Sequence, residues 1–516
     1  MPNKSTDALF QLIKSLEKSE KRNLKLFVKR NPGSESLKSM QLFDVLEKMP
    51  EYDERALLKK ASSLTKQQLS NTKALLYKQI LSSIRVLKDY TNVDIQLREM
   101  ADHARILYNK GLYMQALKIL DRLKEVARSY HQLTHLQQAL FFEKKVEALF
   151  ITRSLKNRAD DLANEADNVN LSLRNANRLS NLNLQLYSWF IQHGHARNEN
   201  DLKSIQLFFD TNLPENASQL RGFYERVYYF QSYAWYAFIR LDFLMFYRYC
   251  QKWVDEFELQ PRMKEVETAM YIKGMHNLMS AHFNLLNYEK LSSCIKTFKL
   301  FAKTDLVQHN ENNRIIAYQY LYTAVINLHF LDGSFHKGLK MVPFLEEMLV
   351  AYEKYLDRHR IMVFYYKIAC LYFGSGDNKN TITYLNRIIH QKDDLRTDLQ
   401  CYSRLLHLIA HYELGNFDLL QYLIKSVYRY MAKMENISLV EEAILGFLKR
   451  ALQFKAATIR PEFEKLLNQL KKYQSHKLEA RAFAYLDIIS WLESKLSGMK
   501  VQDVIRKKFI EAPKRH

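Results

Sequence analysis

Between Ala104 and Val126 the chain spells a helix, a tight turn and a second helix. Ala104, Leu107, Gly111, Tyr113, Ala116 and Leu120 follow one another at spacings of 3, 4, 2, 3 and 4 residues. Steps of three and four keep apolar residues on one helix face, and the step of two across the turn breaks that rhythm. Ala104 and Ala116 are small, which suits two helices that approach closely. The turn is echoed at Leu241-Asp242-Phe243, Leu286-Asn287-Tyr288, Gly333-Ser334-Phe335, Gly376-Asp377-Asn378 and Gly415-Asn416-Phe417, whose third positions lie 45, 47, 43 and 39 residues apart. From Tyr113 to Phe243 there are 130 residues, room for three further units, with degenerate turns expected near Lys156-Asn157 and near Asn198-Glu199-Asn200. Each helix pair leaves an apolar face that only a stacked neighbour covers, so such a chain folds as an array.

Composition agrees with helices throughout. Only 12 Gly and 8 Pro punctuate 516 residues, too few for the turns of a β-rich protein, while 47% hydrophobic residues supply a large core. The unit at Ala104–Val126 resembles a tetratricopeptide repeat: a small and a large apolar residue on the first helix, Gly and an aromatic at the turn, then Ala and a large apolar residue on the second. Met100 stands where such repeats carry an aromatic, and no Pro closes the unit. The period of about 43 residues exceeds the repeat's usual 34 or so, so each unit has longer helices or longer linkers. The resemblance implies an all-α, right-handed αα-solenoid, with an N-terminal helical module at 1–92, the repeat array at 93–445 and a helical cap with a basic tail at 446–516.

The N-terminal module predicts five helices. The second carries Leu24, Phe27 and Val28 on its buried face, with Lys21, Lys25 and Lys29 at i, i+4 and i+8 on the opposite one. Asn31-Pro32-Gly33 stops it. Asp53 caps a short fourth helix, and a long fifth covers about residues 65–88. Lys66-Gln67-Gln68 and Asn71 have side chains that read base edges. The Gly turn of a helix-turn-helix DNA reader is missing, however, and Ser62-Ser63 stands there instead. In the cap, Pro461 opens a helix through Phe463, Leu466, Leu467 and Leu470. Ala480, Phe483, Leu486, Ile489 and Trp491 form the next. A last amphipathic stretch (Val501, Val504, Ile505, Phe509) carries Arg506-Lys507-Lys508 and is followed by Lys514-Arg515.

Net charge is +21, concentrated at the ends: residues 1–90 hold 18 basic against 10 acidic groups, and residues 446–516 hold 16 against 7. Two readings stand for those ends: solvated faces that keep the chain in solution, or contacts with nucleic acid, an acidic protein or a membrane surface. Cys250, Cys294, Cys370 and Cys401 are isolated, which suits a reducing compartment. The N-terminus lacks the uninterrupted apolar core of a signal peptide, and no run reaches the roughly 18 apolar residues of a membrane span. A cytoplasmic protein is expected.

No motif predicts catalysis, a cofactor or a metal. His407 and His411 have metal-ligand spacing, but Leu408 stands where metalloproteases carry Glu. His193-Gly194-His195 is a loop pair with no further ligand in view. Gly374-Ser375-Gly376 lacks the Lys-Ser or Lys-Thr of a phosphate loop. The unusual feature is aromatic: 32 Tyr and 29 Phe, crowded onto the first helices of several units. Tyr229, Tyr233, Tyr236, Tyr320 and Tyr366 are candidates for a partner groove, against the plainer reading that they pack between repeats. Lys21, Lys25, Lys29, Arg506, Lys507 and Lys508 are candidate contacts to an anionic partner.

Leu16-Glu17-Lys18-Ser19-Glu20-Lys21-Arg22, then Lys25-Leu26-Phe27, Leu42-Phe43-Asp44 and Tyr52-Asp53-Glu54, are similar to segments that open uncharacterised cytoplasmic proteins of the Bacteroidota. That resemblance implies a bacterial source and a helical fold, and no activity. The expectation is a non-enzymatic scaffold or adaptor that binds a protein or peptide on the concave face of a helical-repeat array. The alternative is a nucleic-acid-associated regulator whose array senses a ligand and whose basic end contacts DNA or RNA.

Overall fold

A computed structural model describes residues 7–512 except 31–33, 62–63, 89–91, 150–156, 215–219, 354, 392–395, 435–436, 454–458, 475, 477, 480–481 and 484–486. Asn31-Pro32-Gly33, Ser62-Ser63, Lys156, Ala480, Leu486 and Lys514-Arg515 therefore lie outside the described residues. Regular structure among the described residues is all α-helical, and the fold is helical-repeat-like. Among them no helix is long and apolar enough to cross a membrane. The chain divides between Asn170 and Leu171 into two compact units.

The first unit opens with α1 (Ala8–Ser15), α2 (Lys18–Arg30), α3 (Ser34–Lys48), α4 (Glu54–Lys60) and α5 (Lys66–Lys88). Their core gathers Leu24, Phe43, Leu46, Leu57, Leu76 and Ile80. Asp53 caps α4 as the sequence predicts, accepting from the Arg55 and Ala56 N–H groups. Helices α6 (Val93–Asn109), α7 (Tyr113–Ser129) and α8 (Leu133–Leu149) follow. Ala104 and Ala116 are fully buried where α6 meets α7.

The division into units falls inside α9 (Arg158–His193), a single helix of 36 residues. Three helix pairs do not fill the interval from Tyr113 to Phe243. It holds α8, this long helix, α10 (Glu199–Asn212) and the start of the next pair. Asn157 is left-handed just before α9, and Asn198 caps α10, so both expected breaks mark helix starts.

The second unit continues with α11 (Phe223–Ile239), α12 (Phe243–Leu259), α13 (Met263–Val266), α14 (Thr268–Asn284), α15 (Tyr288–Phe301), α16 (Asp305–Gln308) and α17 (Glu311–Asp332). Then come α18 (Phe335–Leu339), α19 (Val342–Ala351), α20 (Arg358–Ser375), α21 (Asn378–Ile389), α22 (Thr397–Glu413) and α23 (Phe417–Lys433). The last four are α24 (Leu439–Ala451), α25 (Arg460–Tyr473), α26 (Ile488–Ser497) and α27 (Val501–Glu511).

One local device joins the pairs. At Gly111, Leu241, Leu286, Gly333, Gly376 and Gly415 the backbone turns left-handed, with φ from 55° to 91°. The next N–H then reaches back to the carbonyl five residues earlier: Asp242 to Ala237 at 2.9 Å, Asn287 to His282 at 2.9 Å, and Asp377 to Tyr372 at 2.9 Å. This is a Schellman closure of one helix. The same Asp or Asn opens the following helix, since Asp242, Asn287 and Asp377 accept from the N–H groups of Met245, Lys290 and Asn380. Two residues thus close one helix and start another.

Stacking explains why the helices are apolar nearly all round. On α17, Ala317, Tyr320, Leu321 and Ala324 join the core shared with α14, while Ile315 and Ile326 join the one shared with α20. A helix covered on both sides carries no single apolar stripe.

Candidate functional site

First helices of successive pairs, α11, α14, α17 and α20, line a cavity of about 340 Å³ together with α9 and the segment around Arg396. Four cations reach it: Lys273, Arg360, Lys367 and Arg396. No Asp or Glu lines it among the described residues. Its aromatic wall is a run of rings. Tyr187 lies 4.8 Å from Trp235, Trp235 lies 5.4 Å from Phe190, and Phe190 lies 5.1 Å from Phe238.

The cations differ in how they are held. Arg396 forms two parallel bonds to Asp398, at 2.8 and 2.9 Å. That fork-to-fork pairing fixes the guanidinium and cancels its charge. Gly194 lies so close that a Cβ there would meet the Asp398 carboxylate at 3.2 Å. Its neighbour His195 donates from Nδ1 to the Phe238 carbonyl at 2.7 Å, the tautomer being set because a carbonyl only accepts. Arg360 donates to Gln319 Oε1 at 3.2 Å and faces the half-exposed Asp357 at 3.3 Å.

Among the described residues no carboxylate stands against the two lysines. Lys273 Nζ sits 5.0 Å from the centre of the Tyr187 ring. Lys367 Nζ donates to Asn327 Oδ1 at 2.5 Å and lies 5.7 and 5.5 Å from the rings of Phe283 and Phe330. Burial pulls Lys273 down to about 8, with the nearby Arg360 charge acting in the same direction. Burial likewise pulls Lys367 down to about 8. Both are mainly protonated at neutral pH. His276 stacks on Tyr320 with ring centres 3.9 Å apart. Burial, followed by Lys367, Arg360 and Lys273, takes His276 down to about 3, so it is a neutral ring among three cations. His359 is held at about 4 by burial and then by Arg396.

Of the tyrosines singled out from the sequence, Tyr320 lines this cavity. Tyr366 is buried and lines an adjoining, more apolar cavity of about 610 Å³ that shares Phe283, Val363, Lys367 and Arg396 with the first. Tyr229, Tyr233 and Tyr236 pack elsewhere. Tyr233 stacks on Tyr249 at 4.3 Å with Tyr229 against it at 4.7 Å, and Tyr236 stacks on Phe209 at 4.1 Å. They fill the space between α11 and its neighbours α10 and α12.

The basic candidates mostly face acids of their own unit. Lys21 pairs with Glu47 at 3.1 Å and Lys25 with Asp44 at 3.0 Å. With Arg22 and Lys29 these two lysines border a shallow, open depression. Arg506 Nη1 donates to the Asp332 carbonyl at 3.1 Å, and Lys508 pairs with Glu493 at 2.7 Å. Lys507 is exposed near Glu511.

His407 and His411 do meet edge to face at 4.5 Å, but both are buried, and Asn416 donates to His411 Nδ1 at 3.0 Å. Burial takes His407 down to about 4. Among the described residues no group of three His, Cys, Asp or Glu side chains is placed to hold a metal ion. All four cysteines are free thiols.

Sequence reading missed Lys273 and Lys367, which lie 94 positions apart in the chain. The signal was present: each is a lone cation in an apolar helical run, Met270-Tyr271-Ile272-Lys273 and Tyr365-Tyr366-Lys367-Ile368. Compared with known proteins, the chain matches no family model and no curated protein sequence.

Proposed function

We propose that this protein is a non-enzymatic scaffold of the tetratricopeptide-like kind, which binds a protein or peptide segment on the face formed by the first helices of its pairs. The observation behind this reading is the convergence of α11, α14, α17 and α20 on one cavity that carries four cations, a wall of rings and, among the described residues, no carboxylate. Aromatic rings give contact area at low entropic cost, and half-buried cations select an acidic segment against others. The basic stripe on α2 supports a nucleic-acid reading less well, because Glu47 and Asp44 already face Lys21 and Lys25.

Site-specific photo-crosslinking in the native host tests this. A benzophenone side chain in place of Ser280, which lines the cavity, should yield defined protein adducts that survive nuclease. The same probe in place of the half-exposed Leu419 on α23 should not. Identical adducts from both positions, or adducts that vanish with nuclease, would overturn the scaffold reading.

A further inference from the structure

The charge around the cavity does not close. Asp398 cancels Arg396, and Asp357 faces Arg360 from the more exposed side. Two ammonium groups are left, Lys273 and Lys367, and among the described residues no carboxylate lines the cavity against either. Taking a lysine out of water without a counter-charge costs stability, so natural cores rarely do it unless something binds there. The arrangement is also rigid. Lys367 is aimed by Asn327 Oδ1, Arg360 by Gln319 Oε1, and both amides stand on α17 two turns apart. Between them His276 lies flat on Tyr320, kept neutral by the cations around it.

Two further surfaces complete the site. Tyr187 and Trp235 offer ring faces beside Lys273. Asn277 and Asn284 of α14 add amide donors and acceptors to the lining. Cations for a compact dianion, rings for a flat body and amides for its polar edge belong together when the ligand is a phosphate on a heteroaromatic nucleoside. A volume of about 340 Å³ has room for one such molecule.

We propose that this cavity binds a nucleoside monophosphate, with its phosphate between Lys273, Lys367 and Arg360 and its base against Tyr187 and Trp235. The site would make the array responsive to a small metabolite. This goes beyond the scaffold reading and does not depend on it: that reading sets a partner segment against the same cavity, where a nucleotide would compete with it, and titration of the chain alone tests the nucleotide separately.

Protonated lysines are required, so affinity falls as pH rises through about 8, where both give up their protons. The other groups facing them are Arg360 and Tyr187 beside Lys273, the Tyr187 phenol being held above its ordinary range by burial, Cys370 beside Lys367, and His276. Burial pushes the Cys370 thiol up to about 12 and His276 titrates near 3, so neither changes charge in that window.

The test is titration calorimetry on the full chain with the four ribonucleoside monophosphates, with inorganic phosphate and adenosine as the separate halves. At least one monophosphate should bind at pH 7, and each half should bind at least about tenfold more weakly. Lys273→Met and Lys367→Met should each weaken binding about tenfold or more, and wild-type affinity should drop between pH 7 and 9. Lys507→Met, on an exposed face of α27, is the control and should bind as wild type. Both cavity variants replace a charge by an apolar chain of similar length, and circular dichroism verifies that they fold. No binding of any monophosphate at about 1 mM, or undiminished binding by the folded double variant, overturns the proposal.

Discussion

Lysines withdrawn from solvent occur in both units, fully buried in the first and half-buried in the second, and are treated in opposite ways. In the first, Lys124 is 3% exposed and meets Glu143, itself 2% exposed, which also receives Arg158. Asp121 adds a second carboxylate at 3.0 Å. Burial still draws the Lys124 pKa below its ordinary value, with Asp121 pulling the other way. In the second unit Lys273 and Lys367 meet rings and an amide, and among the described residues no acid. The first arrangement is complete in itself. The second has no such carboxylate among the described residues, which is where the proposed anion would sit. A buried charge therefore says little about function until its counter-charge has been sought.

Four experiments press on that contrast. The largest effect is expected from Glu143→Ala, which leaves the buried Lys124 with Asp121 alone and takes from Arg158 the carboxylate it shares with that lysine. Denaturant unfolding should show a loss of about 3 kcal/mol, as when one partner of a buried pair is removed. Next comes Gly333→Ala in the second unit. Its φ is +71°, and a Cβ would meet the Gln502 carbonyl at 2.6 Å and the Arg506 nitrogen at 2.7 Å, both of them backbone atoms. A loss of about 2 kcal/mol is expected in the same assay.

Lys273→Met should do the reverse of Glu143→Ala and raise the stability of the ligand-free protein by about 1 kcal/mol, because no partner loses its charge. The pH dependence sharpens this. Lys273 and Lys367 titrate near 8 in the fold and near the ordinary 10.5 when unfolded, so the unfolded chain holds more protons between those values. Their contribution makes the wild type more stable as pH rises from about 8 to 10. Lys273→Met should flatten that slope, as followed by melting temperature across the range. The smallest effect concerns a turn. Leu286 is left-handed at φ 55° and 66% exposed, so Leu286→Gly should relieve strain at little loss of packing. A gain of about 0.5 kcal/mol is expected in denaturant melts.

The helices and their turns were legible because their causes are local. Gly111, Gly333, Gly376 and Gly415 announce a left-handed residue, and the Asp or Asn that follows four of the six turns announces the next helix. Leu241 and Leu286 were found only through their capping neighbours and the aromatic behind them. The 36-residue α9 was not foreseen, since nothing in Ala159–Gln192 signals that a turn has been left out. The cavity was legible only in part. Tyrosines on a helix that is apolar nearly all round do not reveal which face they take, so Tyr233 and Tyr236 read the same as Tyr320. What sets them apart is the neighbour: Tyr249 and Phe209 for two of them, His276 for the third. That distinction belongs to packing between segments distant in sequence.

Helix α27 gives the second unit a property that stacking alone would not. In a linear stack each pair touches only its neighbours, and the array can fray inward from either end. Here the last described helix returns to a turn in the middle. Its backbone rests on Gly333, Arg506 reaches the Asp332 carbonyl, and Phe509 meets Tyr288 at 4.8 Å. Everything from α18 to α26 is thereby enclosed in a loop whose two ends are clasped together. Fraying from the C-terminal side must first open that clasp, and until it opens the enclosed pairs gain little freedom by parting. The stack is a closed circuit, and the clasp that closes it sits at Gly333, in the turn that ends α17, the helix that orients both Arg360 and Lys367.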